Sequence, residues 1–262
     1  LRKIFPLLLY VSIAWVPFSR HPDDPGASAL RDSLVKFREN FVPSYSADEE
    51  IVKHTAFTLC YSEQHEQAKW IAYRLTRRMC NNNGEERTNN FRIDPLVKSG
   101  SASPADYKKS GFDRGHLCPA GDMGWSEETM SESFLMSNMS PQEPAFNRGI
   151  WKNLESLVRQ WAVEDMELYI VTAGVLPEEL PYIGSNKVSV PEYYYKIVLD
   201  VNLPDLKAIA FIMPNKGSKA GIFEYAVSID SVEHLTGIDF YPALPDSLEN
   251  HLESNLSIKN WK

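Results

Sequence analysis

The sequence predicts an α+β protein, with a mixed or antiparallel sheet core and flanking helices. Three observations carry that expectation. The runs LYIVTAG, YYYKIVLDV and LKAIAFIMPN are apolar, rich in β-formers and separated by Pro and Gly. The preceding stretch GIWKNLESLVRQWAVEDM places Ile150, Leu154, Leu157, Val158 and Trp161 on one side of a helix. No repeat or low-complexity linker divides the chain, which favours one mixed domain.

The elements follow in order. Arg2 and Lys3 precede an uncharged, mostly apolar run from Ile4 to Val16, and no acid appears before Asp23. Residues 1–20 therefore read as an export signal, with a short anchor making transient membrane contact as the alternative. The implied setting is periplasmic or extracellular, membrane-anchored if the leader is uncleaved. Residues 21–50 form a lead segment in which HPDDPGAS and VPSYSADEE flank a surface helix, ALRDSLVKFREN. The main domain is expected over 51–262. It opens with a strand, IVKHTAFTLCY, followed by a helix in EQHEQAKWIAYRLTRRM through Ala68, Ile71, Ala72 and Leu75. NNNGEERTNN and LVKSGSASPADYKKSG are loops. After the amphipathic helix and the three strands, FEYAVSIDSVEHLTG offers a strand or short helix, and LPDSLENHLES a final polar helix.

Composition narrows the functional classes. With 262 residues, 43% hydrophobic and 24% charged, the chain is neither collagen-like nor disulfide-dense nor wholly disordered. A net charge of -8 removes any argument for nucleic-acid binding from bulk charge. Distribution says more: from Lys69 through Arg114 ten basic residues face five acids, an excess of +5. Taken alone, such a run reads as a solvated face. Cys60, Cys80 and Cys118 fit no zinc or thioredoxin spacing; one bridge stays open, and Cys118 reads first as a small buried residue.

The basic window ends on GFDRGHLCPAGDM, which brings together Asp113, Arg114, Gly115 and His116. Histidine relays a proton near neutral pH, arginine holds phosphate oxygens, glycine permits close backbone approach and aspartate orients a neighbour. These are ingredients of phosphodiester cleavage, although four residues alone fit a structural, hydrogen-bonded His116 better. A second cluster, MSNMSPQEPAFNRGIWKNLE, offers Asn138, Gln142, Asn147, Arg148 and Glu155. On a continuous α-helix Asn147, Trp151, Glu155 and Arg159 recur every four residues as one stripe. Asn147 can give one oxygen to a hard divalent ion while Glu155 holds an ion-bound water. Capping and solvation are the plainer roles for both.

Together, FDRGHLCPAGDM and LMSNMSPQEPAFNRGIWKNLE resemble the DNA/RNA non-specific endonuclease family, whose active region is the ββα-metal motif and which includes endonuclease-G-like enzymes. The resemblance runs from about Ile51 to Leu244, through YIGSNKV, VPEYYYKIVLD and VEHLTGIDFYPALP. It implies an embedded ββα-metal site in which His116 is the general base and Asn147 the direct magnesium ligand. Glu155 is implied to hold magnesium through water, Arg114 and Arg159 to contact phosphate, and Asn138 to serve in the active site; Asp113 and Gly115 support the motif. The implied activity is magnesium-dependent, largely sequence-non-specific cleavage of DNA, with RNA as a further substrate, leaving 5′-phosphate ends. Manganese or another divalent ion would substitute. No stable protein partner is expected. Cys118 stands where the family string usually has alanine, which replaces no chemical group. Two alternatives stay open: a nucleic-acid-binding protein without hydrolysis, and a narrower secreted phosphoesterase walled by Trp125 or Trp151. A Cys/His protease has no independent support.

Overall fold

A strand buried on both faces must be apolar along its whole length, and that condition organises this chain. The computed structural model describes residues 25–82 and 84–262; the leader expected over 1–20 lies outside the described residues. In chain order the elements are α1 (Pro25–Glu39), β1 (Glu50–Lys53), β2 (Phe57–Ser62), β3 (Gln67–Thr76) and the short α2 (Arg77–Asn81). A long loop leads to β4 (Asp113–His116), α3 (Glu127–Glu132) and β5 (Met139–Gln142). One wide helical turn, Phe146–Trp151, then runs into α4 (Lys152–Asp165). The remainder is β6 (Glu167–Gly174), β7 (Tyr182–Ile183), β8 (Val188–Ser189), β9 (Tyr193–Asp200), β10 (Lys207–Pro214), β11 (Ala226–Val227), α5 (Ile229–Thr236) and α6 (Asp246–Ser254).

Seven strands form one sheet in the order β1-β2-β3-β6-β9-β10-β11. Every pairing in it is antiparallel. The three strands expected in the second half are β6, β9 and β10, at the sheet centre. Alternation sends neighbouring side chains to opposite faces. On one face Tyr73 donates to Asp122 at 2.9 Å, Lys196 lies 4.9 Å from the Trp151 ring, and Phe211 stacks on Trp161 of α4 at 6.4 Å. On the other, Tyr169 meets Phe37 of α1 at 5.2 Å and Tyr195 meets Phe240 at 5.6 Å. The segment from DRGH through α4 and the α1, α5 and α6 layer therefore lie on opposite sides of the sheet.

Two expectations need correction. The helix read into EQHEQAKWIAYRLTRRM is β3, with only Arg77–Asn81 helical. Ala68, Ile71, Ala72 and Leu75 do have helical spacing, but Trp70 and Tyr73 between them are also buried, so the segment is a two-sided core strand. The expected surface helix in the lead segment forms as α1, yet it inserts Leu30, Leu34 and Phe37 into the main core. Their spacing makes one apolar stripe, and each buried side chain contributes about 1.5–3 kcal/mol. Arg38 then ties α1 to the sheet through Glu167 at 3.1 Å.

The cysteines form no bridge: all three are free, with Cys60 and Cys118 buried. Among the described residues no helix is long and apolar enough to cross a membrane.

Candidate active site

The DRGH sequence is β4, paired antiparallel with β5 as a separate two-stranded ribbon, and α4 follows: a β-β-α arrangement. Gly115 is required here because a Cβ would overlap the Gln142 side chain of β5. Alternation along β4 puts Arg114 and His116 on one side and Asp113 and Gly115 on the other.

His116 is buried, with its ring edge-on to Phe134 at 4.9 Å and Phe91 at 5.8 Å. Its Nε2 has no hydrogen-bond partner among the described residues. Burial, then the charges of Arg87 and Arg114, push its pKa down to about 3. The ring is therefore neutral across the physiological range, with an unused nitrogen. Arg114 lies 4.1 Å from the Phe91 ring centre, and Arg87 4.8 Å from that of Phe134. The aromatic pair that walls His116 thus also carries two exposed arginines; Arg87 Nε donates to Asn89 Oδ1 at 2.9 Å, so an anion there would share that guanidinium.

Asp113 organises the next group. It accepts from Arg148 Nε at 2.8 Å and Nη2 at 2.6 Å, and from Asn147 Nδ2 at 2.9 Å. Burial alone would raise its pKa, but the bonds from Arg148 and Asn147 hold it low. A carboxylate only accepts, so it fixes which end of the Asn147 amide faces it; Oδ1 is the atom left to meet a cation. Asn147 lies in the wide turn kinked at Gly149, not on α4. The stripe expected from Asn147 through Arg159 is broken there: Trp151 is buried in the core, while Glu155 and Arg159 alone share α4. Wide turns of this kind occur frequently at functional sites.

Glu155 is half-buried, and burial pushes its pKa up to about 7 against the pull of Lys196, with Asp122 pushing the same way as burial. Lys196 is fully buried on β9, its Nζ has no hydrogen-bond partner among the described residues, and burial lowers its pKa against the opposing pull of Glu155. Arg159 sits one turn beyond Glu155 and pairs with the buried Asp122 at 2.7 Å and with Ser156 at 3.0 Å. Its fork is thus held by protein groups, and a phosphate there would have to share it. Asn138 is fully buried: it accepts from Cys118 N at 2.8 Å and donates to the carbonyls of Cys118 at 2.9 Å and Ser133 at 2.7 Å. Those bonds clamp the backbone that follows His116, a positioning arrangement.

Sequence reasoning missed three participants. Arg87 was visible only as one member of the basic window, yet its charge acts on both His116 and Glu155. Asp122 and Lys196 gave no signal except that each is an ionisable residue within an apolar stretch, AGDM and YYYKIVL.

A neutral histidine whose Nε2 has no partner among the described residues, exposed arginines and an oriented amide oxygen on a β-β-α frame fit a metal-dependent phosphodiester hydrolase of the ββα-metal class. The model of the DNA/RNA non-specific endonucleases matches residues 38–247, and the chain belongs to that family. It is 33% identical over 223 residues to a nuclease of Nostoc sp., covering 80% of this chain and 79% of that one. It is 31% identical over 201 residues to human mitochondrial endonuclease G, covering 71% of this chain and 68% of the relative. A solved structure of an EndoG/EndoGI complex, described as showing the mechanism of EndoG inhibition, aligns with a TM-score of 0.71 at 27% identity. That alignment covers 77% of this chain and 89% of the other. The protein is a divalent-cation-dependent endonuclease of broad specificity. The expectation of no stable protein partner is corrected by the same structure, because a nuclease of this fold was solved bound to another protein.

Proposed function

We propose that the enzyme uses magnesium, cleaves DNA and RNA between phosphate and 3′ oxygen, and leaves 5′-phosphate ends. The observation that carries this reading is His116: a buried, neutral imidazole whose Nε2 is unpartnered, walled by the two rings on which Arg87 and Arg114 rest. Asn147 Oδ1 and, through water, Glu155 would hold one divalent cation, which supplies charge stabilisation of the phosphate and of the leaving oxygen. The donor set suits a hard ion: an amide oxygen oriented by Asp113 and a carboxylate whose raised pKa a cation would bring back down.

In this reading His116 Nε2 takes a proton from the attacking water, and Arg114 and Arg87 offset charge developing on the phosphate. Asn138 holds the backbone after His116 so that the ring keeps its place. Contact with phosphates positions a strand without reading bases, which favours action on any sequence and on both nucleic acids. We place the enzyme in an exported setting on the strength of Arg2, Lys3 and the apolar run behind them.

The test is nicking of supercoiled DNA and of RNA by purified protein with magnesium, with chelator, and with His116→Ala, followed by end-labelling. Cleavage only with metal, loss with His116→Ala and 5′-phosphate ends are expected. Predominant 3′-phosphate ends, or full activity without the imidazole, would overturn the assignment.

A further inference from the structure

On the face of the sheet opposite His116, α5 and α6 pack against each other and against β10. Beside their buried apolar residues the two helices bring acidic side chains together. Asp230 and Glu233 lie three residues apart on α5, and Glu249 and Glu253 four apart on α6, so each pair shares a helix face. Carboxylate oxygens of Asp230, Glu233 and Glu253 all lie within 4.8 Å of one another.

Proximity alone would say little, since acidic groups gather on many surfaces. The decisive group is Glu253. Its side chain belongs to a residue only 6% exposed, and its Oε1 has no hydrogen-bond partner among the described residues. It also sits in the last turn of α6, where the helix dipole is negative and an anion is disfavoured. Oε1 of the neighbouring Glu249 is likewise buried and unpartnered. After burial, the strongest influences on Glu253 are Glu233, Glu249, Asp230 and Asp239, each a further carboxylate. A buried carboxylate close to two others, with an oxygen that no described residue hydrogen-bonds, calls for a neutralising proton or cation.

We propose that Asp230, Glu233 and Glu253 form a second, structural cation site that clamps α5 to α6, taking a hard divalent ion of the calcium class. Three carboxylates from two helices give an all-oxygen donor set, and Asp230 is exposed, which leaves room for the waters that complete six to eight ligands. Glu233 is already oriented by Phe240 N, which donates to its Oε1 at 2.8 Å. Magnesium, which demands a tighter octahedron and gives up water reluctantly, suits this open set less well. The site shares no residue with the catalytic motif and does not depend on the nuclease assignment.

The experiment uses the full chain, stripped with chelator and titrated with calcium chloride alone, read by thermal unfolding and calorimetry. Asn147→Ala serves as the parent so that an ion at the catalytic motif is not counted. The parent should bind one calcium with a Kd of about 0.1–1 mM, as open carboxylate sites do. Its Tm should rise by roughly 5–10 °C at about a hundredfold excess over Kd. Adding Glu253→Gln, which keeps the side-chain shape, should weaken binding at least about tenfold and abolish the Tm response. In calcium-free buffer the same change should leave Tm close to the parent's, because burial and the neighbouring carboxylates push the Glu253 pKa up to about 9, so the side chain is already neutral there, as the amide is. A parent with no calcium response up to about 10 mM, far above the weakest sites of this kind, would mean that protons alone neutralise the cluster. An undiminished response in Glu253→Gln and in Asp230→Asn would place the ion elsewhere. Either result overturns the proposal.

Discussion

Replacing Asp113 with Asn tests whether this carboxylate serves the metal site or merely the fold. Asp113 accepts two bonds from Arg148 and one, at 2.9 Å, from Asn147 Nδ2. The Arg148 side chain is 71% exposed, so water and salt screen that pair and its loss should barely register in unfolding. The Asn147 contact is different, because it determines which atom of the amide points toward a cation. An asparagine at 113 both donates and accepts, so the Asn147 amide could turn over and present its NH2 group instead. Partners that orient a metal ligand commonly matter by about 10–100-fold in affinity or activity. That corresponds to roughly 1.4–2.7 kcal/mol of transition-state stabilisation. The expected result for Asp113→Asn is a kcat/KM on plasmid DNA lower by about that factor, a higher magnesium concentration for half-maximal rate, and a Tm close to wild type. Magnesium titrations at fixed substrate, beside differential scanning fluorimetry, read all three quantities. A large fall in Tm with unchanged metal dependence would refute the reasoning and make Asp113 a purely structural ion-pair residue.

Glu155, pushed up to about 7, sets the acid limb near neutral pH in the free-enzyme kcat/KM profile, whereas His116, with its pKa held near 3, stays in its base form through mild acid and should add no limb between about pH 5 and 7, where an ordinary histidine titrates. Arg87→Gln removes one cation that depresses it and should move the acid limb upward, which a pH series resolves. Lys196→Met removes the cation that most strongly opposes the burial of Glu155, so the Glu155 pKa should climb further and the magnesium-supported rate should require more alkaline buffer. An unchanged profile would sever that link. Gly115→Ala forces a methyl group into the Gln142 side chain, and overpacking of this kind should destabilise by about 1–3 kcal/mol, or roughly 2–4 °C in Tm per kcal/mol at this size, with activity falling as the β4–β5 ribbon shifts.

Much of the fold was legible because its period agreed with its environment. Helix α4 is amphipathic, with one face in the core, and β6, β9 and β10 are apolar runs punctuated by Pro and Gly. The reading failed at β3, where burial on both faces erases the alternation that distinguishes a strand from a helix. It failed again at Asn147, because a regular four-residue recurrence assumes an unbroken α-helix and the wide turn before Lys152 shifts the register. For the site, DRGH and the FNRGIWKNLE string carried His116, Arg114, Asn147 and Glu155. The residues that set their electrostatics, Arg87, Asp122 and Lys196, come from distant loops and a core strand, and only tertiary structure places them.

Charge separation explains how an acidic chain can handle a polyanion. The net charge of -8 is not spread evenly, because the sheet divides the molecule. One side carries Arg87 and Arg114 on the rings that wall His116, while α5 and α6 on the other concentrate Asp230, Glu233, Glu249 and Glu253. Within a Debye length of about 8 Å at physiological salt, an approaching phosphate responds to the local arginines and not to carboxylates across the core. The acidic side therefore costs the site little attraction, and repels strands that arrive on the wrong face. The same division keeps Asn147 and Glu155, which follow the β4–β5 ribbon, apart from the carboxylates between α5 and α6, of which Glu233 also accepts from Phe240 N.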